Sequence, residues 1–404
     1  MNVKRLIPTL PLFLGSLHLP AQTNLFTDAY TIDTVKNGSL HVCIDNISFL
    51  NNTETSGDVQ KGYTLPGIRL NPHLTYYPAS RVKLEAGVSM LRYWGADKYP
   101  NYAYRSLPEW KAAGYQSGFH LLPFFRAQIQ PVPQLNIVLG HIYGGGNHNL
   151  SETLYNPELN LTADPEMGAQ IIYNSNFAHI DAWVNWETFT FKNELYNEVV
   201  TMGTSACFHI TNPQSSFYLG IPVHVLVTHH GGELDSVNNE MSSLSNVAAG
   251  LQFTFTFDNP VLKRIRLNLM GASYKNIHSD EPLLFDKGWA AYSGWNIRVW
   301  KLDVKLNIWR SSKFINLFGN PVFGNVSTSK EDLDWNFPKI TVWNPGVGYE
   351  QQFGSGCRFG ANFELFFTPS FYKYMGTHLV GTYDYFGCTA GMFLRINPSI
   401  VLRK

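Results

Sequence analysis

Along residues 81 to 91, RVKLEAGVSML, polar and apolar positions alternate without a slip. Arg81, Lys83, Glu85, Gly87 and Ser89 share one parity; Val82, Leu84, Ala86, Val88 and Met90 share the other. A period of two belongs to a β-strand whose faces differ chemically. Comparable segments lie at roughly 38 to 49, 65 to 78, 81 to 92, 117 to 130, 134 to 146, 166 to 175, 178 to 189 and 197 to 211. The pattern continues at about 216 to 229, 244 to 258, 261 to 274, 289 to 298, 302 to 311, 339 to 353, 356 to 368 and 384 to 396. The connections YPAS, PVP, NSNF, NPQS, DNP, VWK and GSG are tight turns, most of them built of Pro, Gly, Asn, Asp and Ser. Between them lie longer connections at 50 to 64, 93 to 116, 147 to 165, 190 to 196, 230 to 243, 275 to 288, 312 to 338 and 369 to 383. Short and long alternate from end to end.

That layout belongs to a membrane barrel, which has short turns on the periplasmic side, long loops outside and an even strand count. A soluble sandwich would show Greek-key crossovers and comparable loops at both ends. The fold expected is therefore all-β: a transmembrane antiparallel up-and-down β-barrel of about 16 strands, one unit closed by its first and last strands. On this reading Val82 to Met90 meet lipid, and Arg81, Lys83 and Glu85 meet a wet interior. The split recurs where Phe217, Leu219, Ile221, Val223, Val225 and Val227 oppose a second parity holding Gly220, His224 and Thr228, and where Phe359, Ala361, Phe363, Leu365 and Phe367 oppose Arg358, Gly360, Asn362 and Glu364. Aromatic pairs near strand ends, Tyr76 with Tyr77, Tyr93 with Trp94 and Phe366 with Phe367, fit interfacial girdles.

The first residues point to export. MNVKR is basic, LIPTLPLFLGSLHL is an apolar run, and LPAQ offers cleavage after Ala21, so residues 1–21 are expected to be a signal peptide. The first cysteine is Cys43, which leaves no lipobox, and no apolar run is long enough for a transmembrane helix. The expected organisation is an N-terminal periplasmic segment at 22–37, the barrel at 38–396 and a tail at 397–404. Charged residues make up 15% of the chain and aromatics 14%, a composition unlike that of a helical membrane protein. Without Lys4 and Arg5 the 30 basic and 30 acidic residues become a net −2, which gives no footprint for nucleic acid. Cys43, Cys207, Cys357 and Cys388 lack metal spacing and read as small apolar fillers.

The runs GYTLPGIRLNPHLTYYP, YGGGNHNL, WVNWETFTFKNE and THHGGELD make the chain resemble a porin-like outer-membrane barrel family of Bacteroidetes across nearly all of the mature sequence. The resemblance implies a barrel in the outer membrane of a Gram-negative bacterium. It implies no chemistry for these motifs.

About sixteen strands enclose a bore wide enough for water, and the function expected is a porin-like channel for passive diffusion of small hydrophilic solutes. Its luminal charges are Arg81, Lys83, Arg126, Arg264, Arg266, Arg298, Lys305 and Arg358, joined by Arg69 and Arg395, against Glu85, Asp181, Asp303 and Glu364, joined by Glu187 and Glu350. Arg264, Arg266, Arg298 and Lys305 come from three consecutive strands and form a basic wall that predicts a mild anion preference, unless ion pairs such as one to Asp303 cancel it. Trp94, Tyr99, Tyr102, Tyr104 and Trp110 offer flat faces for a ligand in an outer loop. The loop 312 to 338, with Phe314, Ile315, Leu317, Phe318 and Phe323, is too apolar to lie free in water. It is expected to fold into the bore or to meet another outer-membrane protein. The alternative function is thus a plugged barrel acting as a structural or assembly subunit.

His229, His230, Glu233 and Asp235 of THHGGELD, like His148 of GGGNH, read as structural rather than as metal ligands, because adjacent strand residues point to opposite faces. Asp181 is expected level with Ser205, with His224 diagonal to it. A triad needs the base between nucleophile and carboxylate, and here the serine stands in the middle. All three face the lumen, whereas a lipid hydrolase needs access from the bilayer. The expectation is no enzymatic activity, no cofactor and no metal, with lipid, solutes and other barrel proteins as partners.

Overall fold

A computed structural model describes residues 25–56, 59–60, 62–94, 118–188, 198–231, 241–280, 282–327, 335–354 and 356–403. The expected signal peptide, and the aromatic loop 93 to 116 from residue 95 onward, lie outside the described residues.

Sixteen antiparallel strands close into one barrel. They are β1 (Leu40–Thr55), β2 (Tyr63–Ala79), β3 (Val82–Tyr93), β4 (Gly118–Val132), β5 (Leu135–His141), β6 (Met167–Asn174), β7 (Ala178–Thr188) and β8 (Val199–His209). The circuit continues with β9 (Phe217–His230), β10 (Ser242–Thr256), β11 (Leu262–Ser279), β12 (Lys287–Val299), β13 (Leu302–Ser312), β14 (Lys339–Phe353), β15 (Cys357–Met375) and β16 (His378–Ile396). Each strand pairs with the next in sequence, and β1 pairs with both β2 and β16. Closure satisfies every ladder and leaves no edge. Every segment read from the alternating pattern overlaps one of these strands, though β5 ends at His141, short of the strand expected over 134 to 146.

Three expectations need correction. Residues 369 to 383 are not a loop, because β15 and β16 run on to a tight turn at Gly376, whose φ of +59° suits glycine. The tail is not free: Ser399–Arg403 forms a short strand against Leu40 to Cys43. Of the segment expected in the periplasm, Leu25, Phe26 and Ile32 are buried and the chain from Leu25 enters the barrel. Arg395 of β16 draws it in, donating to the carbonyls of Leu25 and Thr27 and to the carboxylates of Asp28 and Asp45.

Parity assigns the two faces as the sequence implied. Lys83, Glu85, Ser89, Leu91 and Tyr93 of β3 are buried inside, while Leu84 is 40% exposed on the outside. Arg81 belongs to neither face. It lies exposed in the turn between β2 and β3, where it donates to the Pro131 carbonyl, so it is not a luminal charge.

Inside, three segments meet. The N-terminal segment packs Leu25 and Phe26 with Phe49, Leu65, Leu91 and Phe393. The connection between β5 and β6 carries Leu150, Leu154, Leu159 and Leu161 inward, the last two on the single helical turn α1 (Leu159–Thr162). The connection between β13 and β14 packs Phe314, Leu317, Val322 and Phe323 against Trp309, Tyr274 and Phe366. These apolar side chains escape water only inside the barrel, each gaining roughly 1.5 to 3 kcal/mol on burial. Asn246 of β10 fastens the last connection, donating to the Ile315 carbonyl and accepting from the Leu317 N–H. Asn156 N–H donates to the Phe318 carbonyl and ties the two connections to each other.

Candidate functional site: an inner plug and an outward serine–histidine pair

The expected luminal residues other than Arg81 do face inward, but they bind the plug and one another. Arg126 donates to Glu85 at 3.0 Å and, through Nε and Nη2, to the carbonyls of His141 and Ile142, where the plug leaves β5. Lys83 reaches Glu85 at 3.4 Å and the Tyr143 hydroxyl. Lys305 lies 2.6 Å from Glu152 of the plug and 3.0 Å from Glu364. Arg298 and Arg264 both approach Asp303, so the basic wall exists but is partly neutralised. Arg266 and Arg358 stand beside it on inward positions of β11 and β15.

His148 is clasped from both sides. Nδ1 is 2.8 Å from Asp181, Nε2 is 2.9 Å from Glu166, and the ring stacks on Trp183 at 3.5 Å. Burial pulls its pKa down, but the Glu166 and Asp181 carboxylates outweigh that and hold it at about 9. Glu166, despite burial that pushes it up, is lowered by the His148 charge and by the Gly145 N–H that donates to it. With both ring nitrogens engaged, His148 is a structural cation and not a base. Ser205 and His224 are directly opposite rather than diagonal, with Oγ 3.2 Å from Nδ1. Both are buried in the lumen, and Asp181 is committed to His148 and Gln170.

The outer wall carries a different arrangement. On β9 the buried, inward positions are Tyr218, Pro222, His224, Leu226 and Thr228, so His229 falls on the outward parity at the end with the long loops. On β10 Leu244 and Asn246 are buried inward, and Ser243 therefore faces out. His229 and Ser243 are register partners, and Ser243 Oγ lies 2.8 Å from His229 Nδ1. A register shift follows Ser243 in its pairing with β11, and His278 becomes its partner on that side. His278 Nε2 is 3.0 Å from Asp280, whose carboxyl also accepts from the Met241 N–H at 2.7 Å; that hydrogen bond and His278 keep its pKa low. Toward β8, Val200 is opposite both His229 and Trp186, and the Trp186 indole donates to Glu198.

Ser243 thus has the His229 imidazole within hydrogen-bond reach on the outward face, with His278 as its register partner on the other flank. Below it the outward side chains are small: Ser245, Val247 and Ala249 on β10, paired with Lys275, Ser273 and Gly271 on β11. An added Cβ at Gly271 meets nothing within 4 Å, so the wall is open there. Nucleophile and base are within hydrogen-bond reach, and an acyl chain can lie along the wall beneath them.

The signal for this pair was in the sequence. THH places His229 one residue past the buried parity, and the alternation of MSSLSNV sets Ser243 outward. Strand register, which parity alone does not fix, brings the two together. Glu233 and Asp235 of the same motif lie outside the described residues, as do Tyr99, Tyr102, Tyr104 and Trp110. Trp94 is described, exposed and capped by Arg92 at 5.2 Å. Among the described residues no group of three or more potential ligands could hold a metal.

Fold and outward site together define a closed sixteen-stranded barrel of the outer-membrane type. The chain belongs to the lipid A 3'-O-deacylase-type family, whose model matches residues 32–404. This overturns the expectation of a protein without enzymatic activity, because the family takes its name from an acyl hydrolase. A search of curated proteins by sequence gives no match. Among solved structures the chain is similar to OprD of Pseudomonas aeruginosa, at 11% identity and TM-score 0.44, over 93% of this chain and 100% of that one. OpdL of the same organism gives 11% and 0.44 over 90% and 99%. OmpT, an outer membrane protein of Vibrio cholerae, gives 10% and 0.42 over 87% and 99%.

Proposed function

We propose that the protein is an outer-membrane lipid hydrolase that removes an ester-linked acyl chain from lipid A, with Ser243 as nucleophile and His229 as general base. The observation that carries this reading is the 2.8 Å contact between Ser243 Oγ and His229 Nδ1 on the lipid-facing wall, in a chain whose family is named for lipid A deacylation. The barrel would sit in the outer membrane of a Gram-negative bacterium with its long connections outside, which sets the pair at the outer leaflet.

In the reaction Ser243 Oγ attacks the ester carbonyl while its proton passes to His229. The tetrahedral adduct collapses, His229 returns the proton to the departing sugar alkoxide, and an acyl-serine remains. Water, deprotonated by His229, then attacks the acyl-serine and releases the free carboxylate. His278, set by Asp280, lies on the other flank of the nucleophile.

The test is mass spectrometry of lipid A incubated with the purified protein. Loss of one acyl chain is expected with the wild type, falling by at least about a hundredfold in Ser243→Ala and His229→Ala and unchanged in Ser205→Ala. Undiminished deacylation by Ser243→Ala would refute the assignment.

A second reading concerns the bore. Arg264, Arg266, Arg298 and Arg358 outnumber Asp303 and Glu350 among the inward charges near the tight-turn end, and this favours anions on any path for small hydrophilic solutes. The packed interior supports the other alternative, a plugged barrel with a structural role, and the two separate on conductance.

A further inference from the structure

Unpaired cations gather on one sector of the outer wall beside Ser243. Lys275 on β11 is opposite Ser245, two residues along β10 from Ser243. Lys287 on β12 is the partner of Lys275. Arg310 on β13 is opposite Ala291, and Lys339 on β14 is opposite Ser312. All four alternate with buried inward neighbours, Tyr274, Ala290, Trp309 and Ile340 among them, and all four are exposed. Among the described residues none of them forms an ion pair. On the other side of Ser243 the outward polar groups among the described residues are His229, with Glu198 bound to Trp186, and none of these is a lysine or arginine.

Strands are spaced at about 4.8 Å, so the cations extend over roughly 19 Å of circumference from β10. Lys275 and Lys287 stand loopward of outward Trp289, Lys339 is level with it through Ser312, and Arg310 lies one outward position below, opposite Ala291; Trp289 is 52% exposed, as suits interfacial depth. Four like charges without counter-ions at the top of an apolar wall repel one another. The partner that relieves this is an anionic headgroup lying against this band of the wall, and an outer-leaflet glycolipid bearing phosphate supplies it.

We propose that Lys275, Lys287, Arg310 and Lys339 form a binding site for the phosphate groups of the glycolipid headgroup and thereby seat its acyl ester over Ser243. The seating rests on the hydrolase reading; the phosphate binding does not. A phosphorylated lipid is oriented with its charge over β11 to β14 and its ester over β10, so the site selects among esters by the position of the phosphate.

The experiment compares binding of lipid A and of enzymatically dephosphorylated lipid A to detergent-solubilised Ser243→Ala protein, which cannot turn either over. The phosphorylated form should bind at least about tenfold more tightly, since each interfacial basic residue contributes near 1 kcal/mol. That preference should fall to within about twofold when Lys287→Glu and Arg310→Glu are added. Should the reversals fail to fold, Lys287→Gln with Arg310→Gln replaces them and should lose at least half of the preference on a logarithmic scale. Equal binding of the two lipids by Ser243→Ala protein, or a preference that survives the charge changes in a folded barrel, overturns the site. A preference that holds while the wild type deacylates neither lipid supports the site and removes only the hydrolase reading.

Discussion

His148→Ala should loosen the inner plug while leaving the barrel closed. The wild-type imidazole is almost wholly buried, pairs with two carboxylates at 2.8 and 2.9 Å and stacks on Trp183. Removing it leaves Asp181, 1% exposed, with Gln170 as its remaining partner, and Glu166 with the Gly145 N–H. Losing one partner from a buried ion pair costs about 3 to 5 kcal/mol. The same clasp has a pH signature. The folded pKa of about 9 lies above the ordinary 6.5, so its stabilisation is complete below pH 6.5 and is lost as pH rises through 9. The shift corresponds to about 3 kcal/mol, in line with the mutational figure. Amide hydrogen exchange between residues 142 and 165 reads both effects: protection should drop by about two orders of magnitude in the variant at pH 7, and in the wild type above pH 9. Amides of β9 and β10 should not change. Equal protection of the plug in wild type and variant at pH 7 would refute the reasoning.

Arg395→Ala should free the segment beginning at Leu25, seen as new protease cleavage between residues 25 and 39 and a lower melting temperature, because one guanidinium serves two carboxylates and two carbonyls. Asp28, only partly buried, is held at about 2, where desolvation pushes upward and the pull of Arg395 outweighs it; a depressed carboxyl stabilises above its ordinary 3.8, so this tie should persist down to about pH 2. In planar bilayers the wild type should show conductance far below that of an open sixteen-stranded bore, rising when residues 314 to 326 are deleted; wide steps from the intact protein would show that the plug leaves the bore.

The strands were legible because lipid outside and polar groups inside impose a strict two-residue period, as at Val82 to Met90. Extent was less legible: beyond Thr368 the chain carries Pro369, Ser370 and Gly376, which read as a loop, yet Phe371↔Tyr383 and Tyr372↔Thr382 continue the ladder. The apolar loop containing Phe314 and Phe323 announced its need for cover, whereas the entry of Leu25 and Phe26 rests on long-range contacts with Phe393 and Arg395 that no local pattern encodes. The catalytic candidates were hidden for a related reason. Parity names the face of Ser243 and His229, but only register makes them neighbours, whereas Ser205 and His224 share the opposite face.

The most direct test of the central claim is labelling with a lipophilic fluorophosphonate, which reacts covalently with a serine activated by a neighbouring base. The account predicts stoichiometric modification of Ser243 in the folded barrel, abolished by His229→Ala and retained in Ser205→Ala. Modification of Ser205, or none in a folded barrel, would contradict it.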